Sequence, residues 1–211
     1  MQQVALIDYG SGNLRSAEKA LVRAAAGKAE IVVTHDPDRV AAADRVVLPG
    51  VGAFKACMDA LAARPGVIEA LNAAVRDRGA PFLGICVGMQ LMASRGHEFG
   101  VTAGLGWIEG DVRKIAVSDP HLKVPHMGWN TLEVVSDLPL LAGPRAGQPV
   151  YFTHSYAMFP TDPADVAAYV DHGGRFPAAV ARDNMAGVQF HPEKSQGTGL
   201  GLLAAFLEWR P

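Results

Sequence analysis

The chain contains only two cysteines, Cys57 and Cys86, among its 211 residues. Because two thiols outside a C-x-x-C spacing cannot build the disulfide framework of a small secreted domain, we expect both to be reduced. Long apolar runs are missing as well. The opening MQQVALIDYG is too short for a secretory signal, and no window reaches the roughly 20 apolar residues of a membrane-spanning helix. The sequence therefore predicts a cytoplasmic protein with no membrane partner.

An excess of charge of one sign is also absent, since 19 Lys and Arg residues stand against 21 Asp and Glu residues. Phosphate binding needs clustered basic residues that displace counterions, so the composition predicts no nucleic-acid partner. The seven histidines lack the spacing of a metal site. The GSGN stretch lacks the third glycine of a dinucleotide fingerprint and the Gly-Lys-Ser/Thr of a P-loop. We therefore predict no metal and no cofactor.

The chain is rich in residues that build a core. Apolar residues make up 49% of it and charged residues 19%, a balance typical of a globular protein. We find no internal repeat and no Pro/Ser-rich linker that would divide the chain. The sequence therefore predicts a single domain over residues 1–211.

In the first half, short apolar runs alternate with helical patterns. Buried strands are predicted at Val4–Asp8, Glu30–Thr34, Arg45–Gly50 and Ala80–Ile85. A helix is predicted after Asn13, with Leu14, Ala17, Leu21 and Ala25 on its buried face, and one or two helices are predicted within Ala53–Arg78. Alternating strands and helices favour an α/β fold with a central, mainly parallel sheet flanked by helices.

Beyond about residue 106 the pattern changes to strand-like runs separated by Gly, Pro and Asp. This half predicts several antiparallel strands, so the complete sheet system should be mixed. The last segment, GLGLLAAFLEW, predicts a helix that packs through Leu200, Leu203, Ala204 and Leu207.

The stretch PFLGICVGMQLM places Cys86 between Gly84 and Gly88, after a predicted strand. This Gly-x-Cys-x-Gly pattern is the thiol counterpart of the nucleophile elbow of hydrolases. A helix is predicted from Val87 to about Arg95, and its dipole would favour the thiolate. A small buried cysteine at a crowded turn is the alternative, and the pattern alone leaves both open. Cys57 lies in a predicted helix without such a setting and is assigned to the core.

The segment GVQFHPEKS supplies a base for this nucleophile. Pro192 keeps the chain extended, so the side chains of His191 and Glu193 point the same way and the carboxylate can orient the ring. A surface His-Pro turn with a solvated glutamate is the alternative. Together with the elbow, the pattern favours a Cys-His-Glu triad.

These motifs resemble those of the class I, triad-type glutamine amidotransferases. The segments IDYGSGNLRS, LPGVGAF, VPHMGWN, YFTHSY and GVQFHPEKS occur in the order seen in glutaminase subunits of that family, and the resemblance spans essentially the whole chain. The elbow departs from it at Val87, where leucine is common, and Ser94–Gly104 matches loosely. The resemblance implies the fold of the class and hydrolysis of L-glutamine to glutamate and ammonia by Cys86, His191 and Glu193.

The resemblance also implies the surroundings of the triad. The backbone of Val51, Gly52 and Val87 would form the oxyanion hole, with the glycines of PGVG allowing a peptide plane to turn toward the substrate. Gly52, Gln90, Ser155 and Tyr156 would contact glutamine. Gln90 could instead be an ordinary polar residue at the start of a helix.

A partner is implied by the same resemblance. His126, Met127, Trp129, Asn130, Asn13 and Lys194 would dock onto a separate (β/α)8-barrel cyclase subunit of histidine biosynthesis, which uses the ammonia to make imidazole glycerol phosphate and the aminoimidazole carboxamide ribonucleotide. The PHMGWN stretch is expected to be an exposed loop, with core packing of Trp129 as the alternative. We expect low activity alone, raised by the partner.

Other functions stay open at this point. The chain could be a glutaminase that serves another synthase, or a cysteine hydrolase of related fold that is no amidotransferase. The α/β-hydrolases are disfavoured, because their acid precedes the histidine in the sequence. A regulator with a vestigial site is disfavoured by the complete set of triad residues.

Overall fold

The computed structural model describes every residue from 1 to 211. Its strands are β1 (Gln2–Ile7), β2 (Ala29–Thr34), β3 (Arg45–Gly50), β4 (Phe82–Cys86), β5 (Ala93–Gly96), β6 (Thr102–Ala103), β7 (Ile108–Lys114), β8 (His126–Asn130), β9 (Glu133–Val134), β10 (Val150–His154), β11 (Tyr156–Pro160), β12 (Val166–Asp171), β13 (Arg175–Arg182) and β14 (Met185–Val188). Its helices are α1 (Leu14–Ala25), α2 (Pro37–Ala42), α3 (Phe54–Ala62), α4 (Val67–Asn72), α5 (Val87–Gln90), α6 (Ala142–Arg145) and α7 (Gln196–Glu208). A π-helical turn over Ala73–Asp77 continues α4.

An eight-stranded sheet forms the centre, in the order β2-β1-β3-β4-β14-β13-β12-β9. The strands from β2 to β14 in this order run parallel. β13, β12 and β9 continue the sheet with antiparallel pairing. This arrangement confirms the predicted α/β class and the predicted mixture of parallel and antiparallel strands.

Two smaller sheets lie beside the central one. β8 and β10 form an antiparallel pair, and β11, β7, β5 and β6 form a four-stranded sheet. Both come from the part of the chain where antiparallel strands were predicted, apart from β5 and β6, which follow the elbow.

One cluster of 58 buried apolar residues, from Val4 to Trp209, forms the core. In α1 the buried face contains the predicted Ala17, Leu21 and Ala25 together with Ala20, whereas Leu14 is half-buried. None of the helices is long and apolar enough to cross a membrane. The assignment of residues 1–211 to a single domain stays a prediction.

The predicted helix from Val87 to Arg95 is wrong beyond its first turn. α5 ends at Gln90, and the chain enters β5 at Ala93. The carbonyls of Leu91, Met92 and Ala93 accept hydrogen bonds from the backbone amides of residues 105–108, at 2.8–3.1 Å. These carbonyls are therefore unavailable to the amides that would continue the helix.

The predicted buried face of the last helix is half right. Leu203 and Leu207 are buried as predicted, but Leu200 and Ala204 are only half-buried, and the contact face of α7 also contains Gly199, Leu202 and Phe206. A Cβ at Gly199 would lie 1.9 Å from the carbonyl oxygen of Pro192. This close approach fixes the rotation of the helix, which apolar periodicity alone could not reveal.

Candidate active site

Cys86 ends β4 at the sharp turn into α5. Its backbone has φ +55° and ψ −113°, a conformation that residues with a side chain rarely adopt. A Cβ at Gly84 would lie 2.7 Å from the carbonyl oxygen of Gly88, and one at Gly88 would lie 1.8 Å from that of Leu48. Only glycine fits at both positions, so the Gly-x-Cys-x-Gly spacing is what allows the cysteine to occupy this strained turn.

The Cys86 sulfur is stabilised by a side-chain hydrogen-bond donor and not by the N-terminus of a long helix. Because α5 has only four residues, the predicted contribution of a helix macrodipole does not apply. The fully buried side chain of Gln189 places Nε2 3.7 Å from the sulfur, where it can donate a weak hydrogen bond. Sequence reasoning missed Gln189, although a glutamine inside the apolar run AGVQF was a usable signal.

His191 and Glu193 form a buried ion pair beside this turn. β14 runs parallel to β4 with Val188 opposite Ile85, so the segment after β14 emerges at the same sheet edge as the cysteine. His191 Nδ1 lies 2.8 Å from Glu193 Oε1, and both side chains are at least 97% buried. His191 is extended as predicted, with φ −102° and ψ +99°, but the predicted extended course through Glu193 is wrong, because Pro192–Lys194 form a 3-10 helical turn. This turn carries the Glu193 carboxylate to the His191 ring.

The charge state of His191 follows from its neighbours. Burial by itself would lower its pKa, but the Cys86 sulfur and the Glu193 carboxylate outweigh burial and raise the pKa to about 9. Nε2 of the ring has no protein hydrogen-bond partner. The ring is therefore suited to carry a proton on the nitrogen that Glu193 does not engage.

A cavity of about 400 Å³ brings Cys86 and His191 together. Its wall also contains all of the predicted oxyanion and substrate residues, namely Val51, Gly52, Val87, Gln90, Ser155 and Tyr156. Glu98 and His154 line it too, and sequence reasoning assigned neither. The cavity is large enough for a small amino acid and is the place where the chemistry of the buried sulfur and imidazole can act.

Hydrogen bonds from side chains outside the cavity hold the backbone of the PGVG segment. The Val51 carbonyl accepts a 2.7 Å hydrogen bond from Ser11 Oγ and a 3.4 Å hydrogen bond from Cys57 Sγ. Burial raises the pKa of Cys57, which keeps its sulfur protonated and able to donate. Cys57 is buried as predicted, and it also has this polar contact, which the sequence did not indicate. Gly52 has φ +101°, a value that favours glycine.

The family model of class-I glutamine amidotransferases matches residues 5–208. The chain belongs to this family. Among curated relatives of the amidotransferase, subunit HisH of imidazole glycerol phosphate synthase from Caulobacter vibrioides is 62% identical over the full length of both chains. The protein of the same name from Rhodospirillum rubrum is 57% identical, over 99% of this chain and 100% of the relative. The matched family and these relatives agree that the chain is an enzyme of the glutamine amidotransferase class.

Solved structures agree on the fold of the amidotransferase. The structure of PurLQS from Thermotoga maritima has a TM-score of 0.71 over 98% of each chain. At 21% sequence identity, this likeness concerns the fold alone. It supports the class I glutamine amidotransferase-like architecture that the motifs predicted.

Gln90 of the amidotransferase is less free than the sequence suggested. Its Nε2 donates to the Tyr156 carbonyl and to Gln189 Oε1, both at 3.0 Å. Both hydrogens of the amide nitrogen are therefore committed to the protein. Only Oε1 remains to contact a substrate in the cavity.

The PHMGWN stretch corrects an expectation, because it contains strand β8 and not an exposed loop. Met127 is 63% and Trp129 48% exposed, whereas His126, predicted to lie on the docking face, is 3% exposed. Alternate side chains of a strand point to opposite faces, which explains the split. Asn130 is half-buried, while Asn13 and Lys194 are exposed. No group of three or more His, Cys, Asp or Glu side chains is arranged to hold a metal ion.

Proposed function

We propose that this amidotransferase hydrolyses L-glutamine to glutamate and ammonia through a Cys86-His191-Glu193 triad. The observation that carries the proposal is His191, which lines the same cavity as Cys86 and lies 2.8 Å from the buried Glu193 carboxylate behind it. A nucleophile on a strained turn, a base and an orienting carboxylate are the parts that acyl transfer through a thioester needs.

The proposed reaction starts from the Cys86 thiolate and the His191 imidazolium. The sulfur attacks the side-chain carboxamide carbon, and the resulting oxyanion accepts hydrogen bonds from the backbone amides of Val87 and of the Val51–Gly52 segment. His191 then gives its proton to the departing nitrogen, which leaves as ammonia. Water, deprotonated by His191, attacks the thioester and releases glutamate, which restores the thiolate–imidazolium pair.

Recognition of glutamine would use the remaining groups of the cavity. Glu98 is bound to the Phe54 backbone amide through Oε2, at 2.9 Å, so Oε1 is free to accept from the α-ammonium group. Gln90 Oε1 can accept from the carboxamide nitrogen. The backbone at Ser155 and Tyr156 would hold the α-carboxylate, as the family resemblance implies.

We further propose that the ammonia passes to a separate (β/α)8-barrel cyclase subunit, which uses it to make imidazole glycerol phosphate and the aminoimidazole carboxamide ribonucleotide. The exposed Met127 and Trp129 on β8, with Lys194 5.8 Å from the Tyr151 ring, provide an apolar and aromatic docking surface. The curated relatives carry the name of a synthase subunit, which supports this assignment. A cytoplasmic location would keep Cys86 reduced.

Glutamate release, measured with and without the cyclase, tests the proposal. We expect slow hydrolysis by the isolated chain, a strong increase with the cyclase and its nucleotide ligand, and loss of activity in Cys86→Ser. Normal turnover by Cys86→Ser would rule out the triad. Full activity without the cyclase would rule out activation by a partner, and no response to the cyclase would point to another synthase.

A further inference from the structure

Two buried histidines face each other across the β8–β10 pair, behind the cavity. His126 stands opposite His154 in the register, and His126 Nδ1 lies 3.1 Å from His154 Nε2. The His126 ring is stacked between Phe152 and His172, at centroid distances of 4.6 and 4.1 Å. Both histidines are more than 90% buried, and His154 also borders the cavity. The mechanism proposed above assigns neither of them a role.

The hydrogen-bond partners of the two histidines determine which ring nitrogens carry a hydrogen. The Tyr156 carbonyl, 3.0 Å from His154 Nδ1, can only accept, so Nδ1 carries the hydrogen. With His154 neutral, its Nε2 accepts from His126 Nδ1, and His126 Nε2 accepts from Asn130 Nδ2 at 3.3 Å. The amide of Asn130 is fixed in this orientation, since its Nδ2 also donates to the Asp171 carbonyl. Every ring nitrogen is thus satisfied with both histidines neutral.

Burial agrees with this neutral assignment. It lowers the pKa of His126 to about 3 and that of His154 to about 4. Neither ring has a carboxylate partner of the kind that His191 has. The pair is therefore a fixed, uncharged donor chain that ends at the Tyr156 carbonyl.

The Tyr156 carbonyl links this chain to the nucleophile. It accepts a second hydrogen bond from Gln90 Nε2, which also donates to Gln189 Oε1, and Gln189 Nε2 in turn points at the Cys86 sulfur. A continuous series of hydrogen bonds therefore runs from β8 to the sulfur. Removal of the His154 donor would leave Gln90 as the sole donor to the carbonyl.

We propose that His154, held in place by His126, is a positioning residue of the glutaminase: its Nδ1–H fixes the Tyr156 carbonyl and thereby sets Gln90 and Gln189 against Cys86. This inference rests on the proposed function, because it assumes that Cys86 is the nucleophile. His154 acts through these groups and takes no part in the bond-making steps.

Two isosteric variants separate positioning from packing. Asparagine places an amide nitrogen where histidine has Nδ1, and glutamine places one where histidine has Nε2. We expect His154→Asn to retain the bond to Tyr156 and to stay within about threefold of the wild-type kcat/KM, whereas His154→Gln loses about tenfold, as expected for one positioned hydrogen bond. His172→Gln is the matched control: it removes a stacked imidazole outside the hydrogen-bond series and should change the rate less than twofold.

The reactivity of Cys86 gives a second readout that does not require glutaminase activity. The rate at which iodoacetamide alkylates Cys86 can be measured by mass spectrometry of the peptide that contains it. We expect this rate to be about five- to tenfold lower in His154→Gln than in wild type or His154→Asn. Equal effects of the asparagine and glutamine variants on both readouts, or no effect of either, would overturn the proposal. If neither variant folds, His126→Asn and His126→Leu test the preceding donor in the same way. A wild-type chain that never releases glutamate would contradict the proposed function, and alkylation would still decide the positioning role.

Discussion

His191 and the His126–His154 pair are equally buried, yet their surroundings shift their pKa values in opposite directions. His191 lies beside the Glu193 carboxylate and the Cys86 sulfur, which raise its pKa to about 9. The paired histidines have no carboxylate partner, and burial, with a smaller contribution from neighbouring histidines, lowers their pKa values to about 3 and 4. Burial therefore does not determine the charge of a histidine, because the groups that share the buried space decide it.

Replacement of the charged histidine should have the largest effect. In His191→Gln no proton can be delivered to the leaving nitrogen, and we expect glutaminase activity to fall by at least about 10³-fold. Glutamate release with the cyclase present measures the loss, and circular dichroism verifies the fold. Activity within tenfold of wild type would mean that another group provides the proton.

Removal of the carboxylate should make His191 behave more like the neutral pair. The protonated ring is the proton donor, so activity should fall as the pH rises through about 9. Glu193→Gln removes one of the two influences that raise the pKa, so we expect a loss of about 10²-fold and an alkaline limb at lower pH. The pH profile of kcat/KM measures both. An unchanged pH profile of kcat/KM would contradict the proposed role of Glu193 in orienting His191.

The neutral His126–His154 pair should make the protein less stable to unfolding at acidic pH. The folded pKa values of His126 and His154 lie below the unfolded value of about 6.5, so their contribution is complete above that pH and is lost as the pH falls toward 4. Each histidine should lower the free energy of unfolding by about 1.4 kcal/mol per pH unit in this range. Urea unfolding at pH 7.5, 6.0 and 5.0 measures the slope. His154→Asn should flatten it, and an identical slope would show that His154 is not buried as a neutral ring.

A substitution that contacts neither His191 nor the His126–His154 pair should have the smallest effect. Ser11→Ala removes one hydrogen bond to the Val51 carbonyl and leaves that of Cys57. We expect glutaminase activity to fall about three- to fivefold, the value of one neutral hydrogen bond, with both pH dependences unchanged. A shifted pH profile would mean that the hydrogen bonds to the PGVG segment are coupled to His191.

Features set by neighbours in the sequence were predictable, and those set by distant segments were not. The Gly84-Cys86-Gly88 spacing indicated the elbow, because the glycines are needed within that turn itself. The end of α5 could not be predicted, since the amides that bind its following carbonyls come from residues 105–108. β3 and β4 were predictable because they are short apolar runs buried on both faces. The run Glu30–Thr34 forms the predicted strand, but its predicted burial is wrong, because β2 lies at the edge of the sheet and only its Thr34 is buried.

The site shows the same division. The His191–Glu193 contact joins two positions separated by one proline, so the local pattern predicted the pair, although it did not predict the 3-10 turn over Pro192–Lys194 that makes the contact. The burial of His126 depends on which face of β8 the rest of the chain covers, and the alternation within HMGWN showed two faces without showing which one is covered. Gln189 and Ser11 act through partners 103 and 40 residues away. Nothing in their immediate neighbours indicated those contacts.

The pairing of β4 with β14 has a consequence for synthesis of the protein. Cys86 and the base that we propose for it come from segments about a hundred residues apart, so the pair cannot form before β14 and the segment after it have been synthesised. A nascent chain that has not yet produced β14 carries the thiol without its imidazole, so we expect no ammonia to be released from incomplete chains. Ribosome-bound chains arrested before Met185 would show this, since they should release no glutamate while full-length chains do.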